Sequence, residues 1–357
     1  MKLKFIKYLL VGCIIGMAIL GSAVCKSSPK TKGDTSVEVD SKSSPPRWLT
    51  KLEDVYPEKD YLAVVGEGDT RRNAESDAAG ALARIFGSNI KVETEAIVRY
   101  RELEKESGGS YELEKEATKE VDILASQMLY NLQYSDPYTD KEGRVQVVGY
   151  LDRKKTAQIY KEKIDKNSKS VITFRDNSLK SERLITKYAF IDAAIIFAKN
   201  NELLLDQLTI IYETMRKIIE LPYKLDDLNT LYSQIAEKMV FEITIVNDMQ
   251  DKIANLVAGL LSSKGFSVRK DGQLKVSGDV KLEPIKLNNK YENIKWYLNL
   301  QMKDESGKII VSYNKNQRES AVSKSAVEAR AYVEMEKEIK KAFFNEFIKY
   351  LDGLVLK

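Results

Sequence analysis

Apolar positions recur along this chain with changing period, and each change of period marks a change of structure. From Tyr8 to Val24 no residue is charged. That run follows Lys2, Lys4 and Lys7 and has the length and place of the apolar region of a secretory signal. Residues 26–46 are Ser, Lys, Thr, Asp and Pro with almost no large apolar side chain. Such a stretch buries too little surface to order itself, so it predicts a tether. Pro45-Pro46-Arg47-Trp48-Leu49 then opens the folded part, with Trp48 expected to dock the chain onto the first domain.

Short apolar and amphipathic segments follow. Tyr61–Gly66 predicts a strand. Ala74, Ala78, Ala81, Leu82 and Ile85 fall on one face of a helix from Arg71 to Phe86, ended by Gly87. Between Asn89 and Arg101 the residues Ile90, Val92, Thr94, Ala96, Val98 and Tyr100 alternate, which predicts a half-buried strand. Gly108-Gly109 marks a turn. Leu113, Ala117, Val121, Leu124 and Met128 then recur at helical spacing, although a long returning strand also fits. Tyr130–Tyr134 and Val145–Leu151 read as a hairpin around Asp136-Pro137-Tyr138-Thr139-Asp140-Lys141-Glu142-Gly143. A helix after Asp152 closes the unit.

Residues 178–239 are helical in pattern. Leu184, Tyr188, Ile191, Ile195 and Ala198 form one stripe, and Leu204, Leu208, Ile211, Met215 and Ile218 form another. Asn200-Asn201 separates them, which predicts an antiparallel helical hairpin. Pro222 ends its second helix, and Leu225–Met239 gives a third. The last part returns to mixed structure. Phe241–Val246 is a strand, Gln250–Ser263 a helix capped by Gly265, and Phe266–Arg269 and Leu274–Leu282 are strands. Ile294, Trp296, Leu298, Leu300 and Met302 alternate with polar residues before a turn at Asp304-Glu305-Ser306-Gly307 and a strand over Lys308–Tyr313. Ser325 and Glu328 form a capping-box pattern. The helix they open directs Tyr332, Met335, Ile339, Ala342, Phe343, Phe347 and Leu351 inward. The fold class is therefore α+β: a small mixed-sheet domain, a helical middle and a second α+β domain. The expected division is a signal at 1–24, a tether at 25–45, and folded parts at 46–168, 178–239 and 240–357. No repeat period emerges.

Composition narrows the chemistry. The chain has 357 residues, 43% of them apolar and 31% charged, within the range of globular proteins. It carries 57 basic and 53 acidic side chains. Three of the basic ones lie in the signal, so the processed chain has a net charge of about +1. No block of Lys and Arg stands out to neutralise phosphates, which argues against nucleic acid as a partner.

Both cysteines lie in the N-terminal segment. Leu10-Val11-Gly12-Cys13 is the better local match to a lipobox, but only five residues separate Lys7 from Cys13. Cleavage there would leave Ile14–Leu20 as an exposed apolar tail. Cys25 follows a full-length apolar region, although Val24 before it is atypical. Cys25 is the expected lipid-attachment residue and Cys13 the alternative. Ordinary cleavage after Ala23, or an uncleaved anchor near the ~20 residues a span needs, stays open. Cleavage before Cys25 would leave one cysteine and no intramolecular disulfide.

The chain has no histidine. Ser-His-Asp and Cys-His arrangements and imidazole metal ligands are therefore excluded. The one obvious Ser-x-x-Lys, Ser27 to Lys30, lies in the tether. Acidic residues are everywhere, and nothing singles out two of them for glycoside hydrolysis. No catalytic residue, metal site or cofactor is expected; an enzyme with a carboxylate pair or a Ser-Lys site is the rival reading. Gly66-Glu67-Gly68 sits where a nucleotide fingerprint would sit, but Arg71 or Arg72 replaces the third glycine. Those arginines either hold an anion at a helix N-terminus or are solvated and offset by Glu75 and Asp77. Tyr130, Tyr134 and Tyr138 form either a partner surface or ordinary cross-strand packing.

Four segments together carry a resemblance: Pro46-Arg47-Trp48-Leu49; Tyr61-Leu62-Ala63-Val64-Val65-Gly66-Glu67-Gly68; the helix with Ala74, Ala78, Ala79 and Ala81; and Val147-Val148-Gly149-Tyr150-Leu151-Asp152-Arg153. Residues 46–165 resemble the LPP-twenty family of outer-membrane lipoproteins. The resemblance implies a small α+β domain in a cell-envelope lipoprotein and brings no catalytic residues. Val276-Ser277-Gly278-Asp279-Val280, and Leu300–Asp304 with Ser306-Gly307-Lys308-Ile309-Ile310-Val311-Ser312, look like the periplasmic domains of lipoproteins that activate peptidoglycan synthases. Glu305-Ser306 departs from that family's turn. The expected protein is a non-enzymatic scaffold or interaction module, lipid-anchored in the envelope at the outer membrane, with envelope proteins as partners. A periplasmic activator or recruiter of an envelope-assembly enzyme is the alternative.

Overall fold

Strand β1 (Tyr61–Gly68) pairs antiparallel with β4 (Val145–Asp152) along its whole length, Tyr61 opposite Asp152 and Gly68 opposite Val145. The short strands β2 (Gln133–Tyr134) and β3 (Tyr138–Thr139) also pair with β4. This computed structural model describes residues 45–87, 94–106 and 129–356. Two short helical turns, α1 (Arg47–Thr50) and α2 (Leu52–Val55), precede the sheet and bury Trp48 as expected.

Helix α3 (Arg71–Gly87) lies flat on β1 and β4, with Ala74, Ala78 and Leu82 fully buried. Small residues set the distance. A Cβ on Gly66 would come within 2.2 Å of the Ala74 carbonyl oxygen and 2.4 Å of the Ala78 nitrogen. A Cβ on Gly149 would meet the Ala78 methyl at 2.9 Å. Gly66 and Gly149 thus let a helix touch a sheet. With an antiparallel neighbour, β1 is not the first strand of a dinucleotide-binding unit.

The strand expected over Asn89–Arg101 is corrected. Thr94–Glu106 is helix α4, and residues 88–93 lie outside the described residues. Ile97, Tyr100, Leu103 and Glu104 are buried at helical spacing, whereas Val98, on the alternating face, is exposed. The helical period prevails because that stripe is the one with neighbours to pack against. The turn at Gly108-Gly109 and the element over 113–128 also lie outside the described residues.

The helical middle is corrected as well. Helices α5 (Arg153–Lys180) and α6 (Leu184–Ile218) form an antiparallel pair joined at Ser181-Glu182-Arg183. Asn200-Asn201 is not their turn but lies inside α6. The Asn201 amide is bonded within the interior, so nothing drives it to a surface loop. The break in α6 comes later, at Tyr212, whose φ of −158° and ψ of 84° are not helical. Helix α7 (Leu225–Lys238) follows.

The second sheet has the order β6-β5-β7-β8-β9. Strand β5 (Val240–Val246) runs parallel to β6 (Ser267–Val268) and β7 (Leu274–Pro284). β7, β8 (Glu292–Lys303) and β9 (Ile309–Ala321) form an antiparallel meander. Helices α8 (Lys252–Ser263), α9 (Lys324–Glu338) and α10 (Phe344–Val355) pack on one face, a π-helical turn at Ile339–Phe343 linking the last two. Gly265 has φ +84° at the C-terminus of α8, as its predicted capping role requires. The N-cap of α9 is Ser323, whose hydroxyl accepts from the Ala326 N–H at 3.3 Å. That corrects the capping box assigned to Ser325 and Glu328: Lys324 already belongs to the helix, and Glu328 pairs with its ammonium.

Among the described residues, two large interiors and one small cluster of Ala74, Ala78 and Val147 result, and α6 serves both large ones. Its first half, from Ile185 to Ala198, joins the core under the second sheet, with Trp296, Leu298, Leu300, Phe343 and Phe347. Its second half, from Leu204 to Ile211, joins the core beneath α3 and β4, with Leu82, Leu151, Tyr160 and Ile164. The architecture is α+β, as the hydrophobic pattern predicts, and residues 44–357 form one compact unit.

Candidate functional site

Cys25, the alternative Cys13, and the polar stretch to Ser44 lie outside the described residues. The other residues singled out in the sequence do not converge on one place. Arg71 pairs with Glu75 at 2.7 Å, whereas Asp77 accepts the Glu67 N–H at 3.1 Å and so fastens α3 to β1. Tyr130 stacks edge-on against buried Tyr160, with the Lys163 ammonium 4.5 Å above its ring. Tyr134 packs over Gly149 with Ala74, Ala78 and Val147. These tyrosines serve packing, and the clustered set is a different one. Tyr56, Tyr61 and Tyr150 have ring centroids 4.7–5.9 Å apart.

Polar groups converge instead where α4, α5, α6 and α10 meet. The Tyr100 hydroxyl donates to Asn167 Oδ1 at 3.0 Å, and Asn167 Nδ2 donates to Asn201 Oδ1 at 3.0 Å. Asn201 Nδ2 in turn reaches the Ile164 carbonyl, Ser168 Oγ and Tyr223 Oη at 3.0–3.2 Å. Arg99, the residue before Tyr100, lies between Asp192 of α6 at 2.9 Å and Asp352 of α10 at 2.5 Å. Burial alone would lower the Arg99 pKa, but the two carboxylates hold it well above its ordinary value. The guanidinium therefore stays charged. Tyr188 and Tyr232 share a 2.6 Å hydroxyl contact beside Asp192. Burial first, and then Asp192, pushes Tyr232 up to about 12.

Two further clamps bind loops to helices. Arg153, the first residue of α5, donates from Nε to the Glu58 and Tyr61 carbonyls at 2.7 and 3.2 Å. Its Nη1 donates to the Ile210 and Ile211 carbonyls at 2.7 and 2.8 Å, just before the break in α6. In the β8–β9 turn, Asp304 is buried. It accepts from the Ser306 N–H, the Ser306 hydroxyl and the Lys308 N–H, and pairs with Arg183 between α5 and α6. Burial raises the Asp304 carboxyl, but those hydrogen bonds and Arg183 outweigh it and hold it below the ordinary carboxylate value.

In each of these clusters the polar groups are directed at other parts of the chain. Glu202 and Asp206, one turn apart on α6, are two carboxylates that act on each other. Burial, then Asp206, raises the Glu202 pKa. An open cleft of about 330 Å³ beside them is lined by Arg175, Leu221–Lys224, Asp227, Leu228 and Leu231, and neither carboxylate lines it. Among the described residues, no three of His, Cys, Asp or Glu are grouped to hold a metal, and no helix is long and apolar enough to cross a membrane. Arg99 and Asn167 carried no local sequence signal, because their partners are distant in the chain; Asn201 was read as part of a turn, and Arg153 as part of the resemblance, with no hint of the bonds either makes.

No family model matches this chain, and no curated protein matches it. Solved structures that are similar include a secreted protein from the human pathogen Helicobacter pylori, 13% identical with a TM-score of 0.38, covering 82% of this chain and 98% of its own. A minor lipoprotein from Acinetobacter baumannii is 11% identical, with a TM-score of 0.21, covering 33% of this chain and 93% of its own. A neuraminyllactose-binding hemagglutinin homolog from Helicobacter pylori is 18% identical, with a TM-score of 0.21, covering 32% and 89%. Likeness at these TM-scores carries no argument about what this chain does.

Proposed function

We propose that this chain is a lipid-anchored, non-catalytic protein of the bacterial cell envelope whose compact unit is a scaffold or interaction module. One observation carries the reading: the order of Lys2, Lys4 and Lys7, the uncharged run to Val24, Cys25, the polar stretch 26–46, and then a compact unit that begins at Ser44. Lipid on Cys25 would hold the unit at a membrane, and the tether would let it meet partners at raised effective concentration. The total lack of histidine and the inward use of Arg99, Arg153 and Asn201 support a structural role over a catalytic one.

In the finer reading, residues 46–165 are a domain of the LPP-twenty type in an outer-membrane lipoprotein. It is supported by the use made of the residues that carry the resemblance. Gly66, Ala74, Ala78 and Gly149 set the helix-to-sheet distance, and Arg153 binds α5 to α6.

Metabolic labelling with an alkyne fatty acid tests the anchor. Label lost in Cys25→Ala and kept in Cys13→Ala is the expected result; the reverse moves the anchor to Cys13, and an unlabelled wild-type protein refutes it. Crosslinking in intact cells followed by mass spectrometry tests the scaffold. Recovery of no partner protein from the wild-type chain overturns that role.

A further inference from the structure

One end of the second sheet is built unlike the rest of the surface. The register places Pro284 opposite Ile294 and Glu292 opposite Ala321. The β7–β8 loop, 285–291, and the start of the β9–α9 connection therefore project beyond the same sheet end, on strands about 4.8 Å apart. Three large apolar side chains stand in water there: Leu287 is 49% exposed, Tyr291 55% and Val322 81%.

The loop that carries Leu287 and Tyr291 is tied down. The Ile285 N–H donates to the Asn293 carbonyl at 2.8 Å, the Asn289 N–H to the Leu287 carbonyl at 2.8 Å, and the Tyr291 N–H to Asn289 Oδ1 at 3.0 Å. Buried Asn293 spans the junction. Its Nδ2 donates to Asn289 Oδ1 and the Tyr291 carbonyl, and its Oδ1 accepts from the Ser320 hydroxyl of β9 at 2.6 Å. The fold thus fixes the loop and leaves its two large side chains outside. A single exposed leucine means nothing, but three on one ordered edge are a patch that calls for a partner.

The charges around the patch identify that partner's chemistry. Lys286 and Lys290 flank Leu287 and precede Tyr291, and no acidic side chain pairs with either among the described residues. On the adjoining sheet face, Lys281 and Lys295 stand 5.7 and 4.7 Å from the Tyr297 ring, and Arg318 lies opposite Lys295. Glu283 offsets Lys281 at 2.5 Å. Glu292 and Glu319 are the other acids in these strand ends and Glu283 also lies opposite Lys295, so the five bases exceed the three acids by two, the number of lysines on the loop itself, Lys286 and Lys290. Aliphatic and tyrosine side chains ringed by lysine suit a membrane–water interface, where rings sit at headgroup level and ammonium groups meet anionic lipid. A protein partner with an apolar pocket and acidic rim is the other class of occupant. The membrane is favoured because the exposed apolar side chains sit on a loop tip and a strand end, with two lysines, Lys286 and Lys290, on the same loop.

We propose that the tip formed by Leu287, Tyr291 and Val322, with Lys286 and Lys290, rests on the surface of an anionic bilayer. This fixes how the compact unit faces the membrane to which Cys25 would tether it, and so it rests on the anchor reading. Each basic residue near an anionic surface contributes about a fivefold factor to contact. Reversing two of them therefore reduces contact on the order of tenfold or more.

The test uses the full, lipid-bearing chain with Leu287→Cys labelled by an environment-sensitive dye, reconstituted into vesicles carrying a brominated phosphatidylcholine quencher. Flotation of the vesicles reports the anchor, and dye quenching reports the tip. The expected result is flotation on all vesicles, with quenching in equal phosphatidylglycerol and phosphatidylcholine but not in phosphatidylcholine alone. Quenching should be lost when Lys286→Glu and Lys290→Glu are added, with flotation unchanged. Dye placed by Leu179→Cys, an exposed site on α5, stays unquenched throughout. Absence of flotation refutes the anchor and not the tip. Flotation with an unquenched dye at 287 on anionic vesicles overturns the tip, as does a dye shielded only when a purified envelope protein is added.

Discussion

Replacing Arg153 by alanine removes four hydrogen bonds to carbonyl oxygens, two of them at the break in α6. Ile210 and Ile211 lie in the last regular turn before Tyr212 leaves helical geometry, and their carbonyls accept from Arg153 Nη1 at 2.7 and 2.8 Å. A bond from a charged donor contributes about 1.5–3 kcal/mol, and an orphaned buried acceptor costs a similar amount. These two bonds, at the lower figure because the site is partly hydrated, account for about 3 kcal/mol. The bonds to Glu58 and Tyr61 lie nearer solvent and add about 1 kcal/mol. The expected loss is therefore about 3–4 kcal/mol, seen as a lower urea midpoint at unchanged slope. Lysine in its place recovers less than half, because one ammonium cannot span both carbonyl pairs. Hydrogen exchange localises the effect, with amides from Tyr212 to Ile219 opening before the rest. A stability within 0.5 kcal/mol of wild type, or uniform exchange, would refute the assignment of Arg153 as the clamp on the α6 break.

Three further outcomes follow from the same geometry. Gly66→Ala should cost about 2–4 kcal/mol because backbone atoms 2.2 and 2.4 Å from the new methyl cannot yield, whereas Gly80→Ala, with its nearest neighbour at 3.6 Å, should gain up to about 1 kcal/mol; thermal melts of the two variants decide it. Asn201→Leu should cost about 2–3 kcal/mol by leaving Asn167, Ser168 and Tyr223 without their shared partner, and an unchanged melting temperature would remove the ladder from the stability account. The Asp304 carboxyl is held below its unfolded value, so its contribution is complete above about pH 4 and is lost as pH falls through the lower folded value. The stability gap between wild type and Asp304→Asn should then be constant from pH 7 to 5 and narrow only in acid, and a gap that instead widens below pH 4 would contradict the sign.

How much of this was legible in the sequence depended on whether an element's partners lay nearby. β1, α3 and the β8 alternation stand out because each buries one periodic face against a sequence neighbour or an adjoining strand. Thr94–Glu106 misled because Ala96, Val98 and Tyr100 satisfy a period of two over a short window, while the helical stripe of Ile97, Tyr100 and Leu103 depends on a distant α6. Asn200-Asn201 reads as a turn because asparagine is common in turns. Only the chain of Tyr100, Asn167 and Tyr223 gives the Asn201 amide a reason to be inside. Ser323 was overlooked for Ser325 by a two-residue shift, an ordinary error at a helix end. The arginine clamps leave no periodic trace at all, since one side chain bonded to carbonyls from two remote segments has no local counterpart.

Helix α6 belongs to both interiors, and this bears on how the protein comes apart. Its regular part from Leu184 to Ile211 spans about 42 Å, so the same rod that completes the core under one sheet completes the core under the other. Melting either end exposes a stripe that the other end's partners cannot cover. The unit should therefore lose its structure in a single transition, with one heat-absorption peak, although it is larger than the domains that usually behave so. It also means that a pull applied at Trp48 would be resisted along the rod by both sheets at once, as by a shared axle, and not by two beads in series.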